Sequence, residues 1–144
     1  MTISAEKIAE LRVKHLEMLQ SLVTRMAGYG ASFKSYCITV ATTVVGFGFT
    51  LHRPLVSALA ILPILAFAFA DAQYLRVERR FREVFDLVRV QSWEQMPSFE
   101  MNLDQAPAAS YWNAATSWSI LGFYAPLAVV ALLLSVLFGA WSSG

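Results

Sequence analysis

The chain has 144 residues, of which 57% are hydrophobic and 15% are charged. This composition is too apolar for an ordinary soluble domain of that length and is typical of a membrane protein. The net charge is only +1, yet all 11 Lys and Arg residues fall in the N-terminal part of the chain, up to Arg89. The single cysteine, Cys37, excludes a disulfide within the chain, and its apolar surroundings predict a small buried side chain.

Residues 1–27 are polar and helical in pattern, which is not the pattern of a cleaved signal peptide. Apolar residues recur at spacings of three and four among charged ones and predict an amphipathic helix. The segment AGYGAS, residues 27–32, then interrupts this pattern with two glycines, each of which costs about 1 kcal/mol relative to alanine in a helix interior. Residues 1–30 are therefore assigned to a cytoplasmic helix and a glycine hinge. The helix either packs against copies of itself or lies on the membrane surface.

Residues 31–75 are predicted to form a transmembrane hairpin. Its first span covers residues 33–51, and HRP at 52–54 makes the turn. Its second span covers residues 55–74, about the 20 residues needed to cross a hydrocarbon core of about 30 Å. Pro63 is expected to kink this helix without breaking it, because membrane helices tolerate proline.

Residues 76–115 are predicted to form a basic cytoplasmic helix, ending near Val90, and an irregular connector. Residues 116–141 form the third predicted span, in a region that lacks charged side chains. Trp118 and Trp141 lie about 35 Å apart along a helix, which suits the two interfaces of a bilayer. The predicted fold is an all-α, homo-oligomeric membrane protein with three spans. The Lys and Arg distribution places its N-terminus in the cytoplasm.

Two charged residues of the hairpin, Lys34 and Asp71, lie about equally far from the turn. Each would cost about 2.5–3.5 kcal/mol if isolated deep in a membrane. We therefore predict that they form an ion pair near the cytoplasmic boundary. The pair either fixes the hairpin or contributes to a ring of charges at a pore mouth.

Five arginines lie between Arg76 and Arg89. Most have an acidic residue three or four positions away, but Arg76 and Arg80 have none at i±4 and are predicted to be free to bind an anion. Phosphate suits them, because guanidinium groups match phosphate oxygens. Arg79 and Trp93 complete the candidate ligand site, since an aromatic ring can stack on a base. The alternative is that the arginines contact anionic lipid headgroups.

Two stripes follow helical spacing along the first span. The aromatic stripe consists of Tyr29, Phe33, Tyr36, Val40, Thr43 and Phe47. The hydroxyl stripe consists of Ser35, Thr39, Thr42, Gly46 and Thr50. Small and hydroxylated residues indicate close packing of helices or a wetted pore wall with an aromatic constriction that closes by dewetting. The candidate pore and gate residues are Tyr29, Phe33, Lys34, Tyr36, Thr39, Thr42 and Phe47.

Enzymatic chemistry is not indicated by the sequence. The two histidines, His15 and His52, fall on opposite sides of the predicted membrane, and Cys37 has no local base. No glycine-rich phosphate loop, paired-carboxylate motif or metal-ligand spacing is present in the sequence. We therefore predict no catalytic residue, metal site or cofactor.

Two segments resemble a known family: HLEMLQSLVTRMAGYGASFKSYCITV, residues 15–40, and DAQYLRVERRFREVFDLVR, residues 71–89. They are similar to paired signatures of small bacterial multi-span proteins that act as membrane effectors in anti-phage defence. Effectors that accompany some retrons and the ion channel of the Hailong system are of this type. The residues that carry the resemblance are His15, Gln20, Arg25, Met26, Ala27, Lys34, Asp71, Leu75, Glu78, Arg79, Phe81, Arg82, Asp86 and Arg89.

The Hailong-type channel is the preferred member of this family. The resemblance implies a homotetrameric anion channel in the bacterial inner membrane, held closed by a cytoplasmic nucleotide oligomer of the single-stranded deoxyadenylate type. A partner nucleotidyltransferase would make the oligomer, and its loss on infection would open the channel and depolarise the cell. The alternatives are a non-conducting membrane scaffold or accessory subunit, and a retron-type effector that disrupts the membrane. Neighbouring genes would distinguish them.

Overall fold

The computed structural model describes residues 4–142, which are mostly helical and contain no strand within that range. The helices are α1 (Ala5–Thr50), α2 (Pro54–Ala58), α3 (Ile61–Val90), a 3₁₀ turn (Leu103–Gln105), α4 (Tyr111–Ala115) and α5 (Trp118–Ser142). The all-α prediction is confirmed. The chain is a long helical hairpin, α1 against α3, with α5 packed beside its apolar half.

Helix α1 is 46 residues long and is capped at its N-terminus by Ser4, whose side chain accepts a hydrogen bond from the Lys7 backbone N–H. It continues through Gly28 and Gly30 without a break, so the predicted interruption at 27–32 is wrong. The reason at Gly30 is packing: a Cβ there would lie 2.9 Å from Asp71 Oδ1 on α3. The glycine allows close approach of two helices, and this packing overrides its weak helix propensity.

The turn predicted at 52–54 is confirmed. Helix α1 ends at Thr50, His52 takes the left-handed conformation with φ of 53°, and Pro54 begins α2. The second span differs from the prediction, because α2 ends at Ala58 and α3 starts anew at Ile61. Pro63 therefore lies in the first turn of α3, where it has no helical hydrogen bond to lose. The helix break precedes the proline instead of being a kink at it.

Two hydrophobic clusters stabilise the hairpin. The first joins the N-terminal half of α1 to the C-terminal half of α3 and contains Leu19, Val23, Phe81, Val84, Val88 and Ala106. The second joins α1, α3 and α5 and contains Cys37, Ala41, Val45, Ala60, Ile64, Ala72, Ile120, Tyr124 and Ala131. Cys37 is fully buried, as predicted.

Two stretches are long and apolar enough to cross a membrane: Pro54–Val90 and Trp118–Trp141. Only 28% and 22% of their most apolar windows are buried in the chain, whereas the core helix of a soluble protein is mostly buried. Large side chains such as Leu62, Leu65 and Leu133 are exposed along them. These features fit a membrane protein. Helix α1 is not among the stretches that pass this test.

The end of α3 and the irregular segment that follows it lie where the sequence predicted them. Helix α3 ends at Val90, and the following segment, residues 91–110, is irregular except for its 3₁₀ turn. We refer to residues 91–110 as the connector. It crosses back over α3 and leads through α4 to α5.

Candidate functional site

An ion pair joins the two long helices at the end of their apolar halves. Lys34 Nζ lies 2.6 Å from Asp71 Oδ2, as the equal distances from the turn led us to expect. Asp71 is only 2% exposed, and its Oδ2 also accepts a hydrogen bond from Tyr124 Oη at 3.2 Å. The network therefore ties α1, α3 and α5 together. The contribution of Tyr124 was not predicted, because spacing along one helix pair carries no information about the third helix.

A cavity of 360 Å³ lies beside this ion pair. Its lining residues are Met26, Ala27, Gly30, Ala31, Lys34, Asp71, Leu75, Glu78 and Ser119. The side chains that α1 contributes are mostly small, which leaves room for the cavity. Two carboxylates on α3, which lie two helical turns apart, contribute negative charge to its wall. Such a polar cavity is large enough to hold water beside the buried ion pair.

The hydroxyl stripe is exposed along its whole length. Its threonines donate to carbonyl groups of their own helix, with Thr39 bonded to Ser35, Thr42 to Ile38 and Thr50 to Gly46. The buried residues of α1, such as Cys37 and Ala41, lie on the side that packs against α3. The hydroxyl stripe therefore lies outside the core of the chain. At one edge, Thr42 and Gly46 also line a 230 Å³ cavity against Leu127 and Val130 of α5.

The same exposed side continues toward the N-terminus with small or polar residues. These are Glu17, Gln20, Ser21, Thr24, Gly28 and Ala31. Together with the hydroxyl stripe they form what we call the outer face of α1. This face runs for about 50 Å at a rise of 1.5 Å per residue. The exposed side chains of Ile38 and Phe49 lie along one edge of it.

The aromatic stripe lies on a different side of α1. Tyr29 and Phe33 contact the ring of Tyr74, with centroid distances of 5.4 and 5.1 Å, so they are held by α3 within the subunit. Tyr36 and Phe47 are each 60% exposed. Consecutive helix residues point about 100° apart, so the hydroxyl and aromatic stripes do not face one axis together. The predicted pore and gate residues are therefore not gathered on one face.

The arginines of α3 are not free in the way that their spacing predicted. Arg76 Nε donates to the carbonyl of Ala109 at 2.7 Å, and Arg80 Nη2 donates to the carbonyl of Leu103 at 2.6 Å. The spacing argument considered only acidic residues on the same helix and therefore did not identify these two hydrogen bonds. The acceptors are backbone oxygens of the connector, which no side-chain pattern reveals.

The other charged residues of α3 have partners of two kinds, acidic residues of the same helix and groups elsewhere in the chain. Glu78 pairs with Arg82 at 2.6 Å and Asp86 with Arg89 at 3.2 Å, as the spacing predicted. Arg79 instead donates to Asn113 Oδ1 on α4, at 3.0 Å. Trp93, predicted to lie in the ligand site, packs against the guanidinium of Arg12, 5.7 Å from its ring centroid.

Arg12 was not identified from the sequence, although it lies on the apolar side of α1. It is 2% exposed and donates to the carbonyls of Val88, at 3.0 Å, and of Ser92. Carbonyl groups at a helix C-terminus lack helical partners and carry the negative end of the dipole. Arg12 thus caps α3 from another helix. One turn further on, buried His15 places Nε2 3.2 Å from the Glu100 carbonyl oxygen.

Comparisons of the chain with models of protein families, with curated proteins and with solved structures find no match. In residues 4–142, no group of three or more His, Cys, Asp and Glu side chains is arranged to hold a metal ion. Three features of the chain bear on its function: the outer face of α1, the Lys34–Asp71 ion pair with its cavity, and the arginines that contact the connector.

Proposed function

We propose that the chain is a subunit of a homo-oligomeric ion channel in the bacterial inner membrane, with three spans and a cytoplasmic N-terminus. The observation that carries the proposal is the outer face of α1. Its named residues are small or polar and are exposed over about ten turns of the helix. The two most apolar helices expose leucines and valines elsewhere. Association of α1 helices would separate a polar interior from an apolar, lipid-facing exterior.

The hydroxyl stripe suits this arrangement physically. Its threonine hydroxyls are already bonded to the preceding turn, so they do not enter hydrocarbon as unsatisfied donors. Small residues allow neighbouring helices to approach closely. Hydroxyl oxygens around an axis would give a pore wall that water wets. We therefore assign the pore wall to Thr39 and Thr42, and place the aromatic stripe at its side.

The first span completes the proposed topology. Residues 33–51 reach from the Lys34–Asp71 pair to the turn, and the pair compensates the one Lys or Arg of that span. Three spans place ten of the 11 Lys and Arg residues on one side of the membrane, which the positive-inside rule makes the cytoplasm. Four copies, the number that the resemblance implies, would place four ion pairs in a ring near that side.

The ligand belongs to the same proposal. A nucleotide oligomer of the single-stranded deoxyadenylate type, made by a nucleotidyltransferase, would hold the channel closed until infection removes it. The resemblance of residues 15–40 and 71–89 supports this role. So does a local excess of positive charge, since Arg76, Arg79 and Arg80 have no ion-pair partner in the described part of the chain.

A second candidate function is a non-conducting scaffold. It is favoured by an open groove of 660 Å³ on the cytoplasmic half, lined by Val13, Leu16 and Phe85 together with four residues of the outer face, Glu17, Gln20, Ser21 and Thr24. A partner helix in this groove would cover part of the surface that the channel proposal uses. The side chain of a partner helix could occupy such a groove. The two candidates differ in one measurable property, because a scaffold assembles without conducting ions.

The test is the current carried by the purified protein in a planar bilayer. Wild type should give discrete conductance steps, and Thr39→Val with Thr42→Val should lower each step several-fold by drying the wall. Thr43→Val, the same substitution on the aromatic stripe, should leave the step size nearly unchanged. An intact oligomer that never conducts would overturn the channel and favour the scaffold. Equal loss in the Thr43 variant would place the pore wall elsewhere.

A further inference from the structure

The connector is fastened to the helical hairpin largely by arginines that bind neutral carbonyl oxygens. Arg12 bonds to Val88 in the last turn of α3 and to Ser92 at the start of the connector. Arg80 bonds to Leu103, and Arg76 bonds to Ala109 at the end of the connector. A carbonyl oxygen satisfies an N–H group but does not neutralise the charge of a guanidinium.

The arginines of α3 thus form two groups. Arg82 and Arg89 each have a carboxylate within 4 Å. Arg76, Arg79 and Arg80 have none among residues 4–142, and we call these three the basic cluster. Within it, Nε of Arg80 is buried without an acceptor. A buried donor left unsatisfied is rare and indicates a group that another acceptor would complete.

The basic cluster lies next to exposed aromatic side chains. Arg79 bonds to Asn113 on α4, whose neighbour Trp112 is 73% exposed, and Trp118 at the start of α5 is 88% exposed. Exposed tryptophans at the end of an apolar helix mark the level of lipid headgroups. Phosphate oxygens are therefore abundant where the basic cluster lies.

We infer that the basic cluster is a phosphate site. A phosphate can occupy it only when the connector has left the position that it takes in this structure. A guanidinium grips a phosphate side-on through Nε–H and one Nη–H. In Arg76 the Nε–H is taken by Ala109, and in Arg80 the Nε–H is buried while Nη2 is taken by Leu103. A phosphate that binds both guanidinium groups side-on must therefore displace the connector.

The inference rests on the ligand-binding part of the proposed function, but it does not require conduction. The phosphate comes either from an anionic lipid or from a soluble polyanion, and the chemistry is the same for both. Because the connector leads to α4 and α5, its release would link phosphate binding to the position of the third span. The connector would thus be the part of the site that moves when a phosphate binds.

The test is cleavage of the full-length protein by chymotrypsin, which has candidate sites in the connector at Trp93, Phe99 and Leu103. The protein is placed in phosphatidylcholine nanodiscs alone, with a short oligodeoxyadenylate added, or with phosphatidylglycerol in the bilayer. Connector cleavage should rise several-fold with the phosphate source that binds. A rise only with phosphatidylglycerol identifies lipid, and a rise only with the oligonucleotide identifies a soluble ligand.

Matched variants decide whether the basic cluster is responsible. Arg76→Ala with Arg80→Ala should show rapid connector cleavage without phosphate and no further rise. Arg89→Ala, an exposed arginine paired with Asp86, should respond like wild type. Trp93→Ala removes the contact with Arg12 and should lower the phosphate concentration needed by several-fold. Because it also removes one cleavage site, this variant is compared with wild type by cleavage at Phe99 and Leu103 alone.

Three results would overturn the inference. They are unchanged cleavage with both phosphate sources, protection of the connector by phosphate, and a full response in the double arginine variant. Circular dichroism confirms that each variant is folded before it is digested. A protein that carries no current but shows phosphate-dependent cleavage would refute the channel and leave this inference standing.

Discussion

Gly30 of α1 lies so close to Asp71 of α3 that a Cβ at position 30 would be 2.9 Å from the carboxylate oxygen Oδ1. This approach lets the Asp71 carboxylate reach Lys34 on the next turn of α1. The glycine and the ion pair are thus parts of one contact. Gly28, on the outer face, has no atom within 4 Å of its Cβ position and has no such role.

The two glycines should respond oppositely to alanine. Gly30→Ala should lower stability by about 1–3 kcal/mol, because overpacking displaces the Asp71 carboxylate from Lys34. Gly28→Ala should raise it by up to about 1 kcal/mol, since alanine favours the helix. Thermal unfolding in detergent measures both. Loss of channel gating in Gly28→Ala, without loss of stability, would restore the hinge predicted at 27–32.

The Lys34–Asp71 pair should behave as a coupled unit. Lys34→Met leaves the buried Asp71 carboxylate without its counter-ion and should cost about 3 kcal/mol or more. Adding Asp71→Leu should recover most of that loss, because an apolar pair of similar volume avoids the desolvation penalty. A double-mutant cycle on detergent unfolding gives the coupling energy. Additive losses in the double variant would show that the two charges do not depend on each other.

Arg12→Lys should loosen the end of α3 although it keeps the positive charge. An ammonium lacks the planar fork that reaches the carbonyls of Val88 and Ser92 together, so we expect a loss of about 2 kcal/mol. Amide hydrogen exchange should quicken in residues 88–100. Lys14→Met is the control, because Lys14 is exposed on a different side of α1. It should change the free energy of unfolding by less than about 0.5 kcal/mol. Unaltered exchange in Arg12→Lys would mean that charge alone holds the connector.

The hairpin turn depends on Gly48. A Cβ there would lie 2.5 Å from the Ser57 backbone nitrogen, so Gly48→Ala should separate α1 from α2 and cost 3 kcal/mol or more, on the order of severe overpacking. Gly46→Ala is the matched control, because its Cβ position has nothing within 4 Å. Its fold should be intact. Similar thermal stability of the two variants would contradict the close packing of the turn.

The gate can be tested with one exposed aromatic. Tyr36→Ala should give constitutive conductance and arrest cell growth, because the proposed closed state has the aromatic stripe turned toward the axis in place of the hydroxyl stripe, and Tyr36 is exposed on that stripe. Phe33 is also a candidate gate residue, but it packs on Phe67 and Tyr74, so Phe33→Ala should in addition destabilise the subunit by about 3 kcal/mol. Leu65→Ala on α3 is the control. A silent Tyr36→Ala channel beside a conducting wild type would move the gate toward Phe47.

Features set by local pattern could be predicted from the sequence. The turn follows from His52 and Pro54, and the helix end near Val90 follows from the change in composition after it. The partner of Lys34 follows from counting residues back from the turn, because two antiparallel helices rise equally along their length.

Features set by the connector could not be predicted in this way. Arg12, Arg76 and Arg80 all bind backbone carbonyls, and every residue carries a carbonyl, so no spacing or residue type marks the acceptor. The same holds for Gly30, whose neighbour is decided by how two helices meet. Local propensity suggested a break there, and tertiary packing overrode it.

The continuity of α1 has a mechanical consequence. Its 46 residues make a rod of about 69 Å, longer than the membrane is thick, with one end beside the connector and the other at the turn. A helix without a joint does not absorb motion along its length. A tilt of about 5° about the connector end would move the far end by about 6 Å, close to one helical turn. A small rotation of α1 at the connector end therefore becomes a large displacement at the turn.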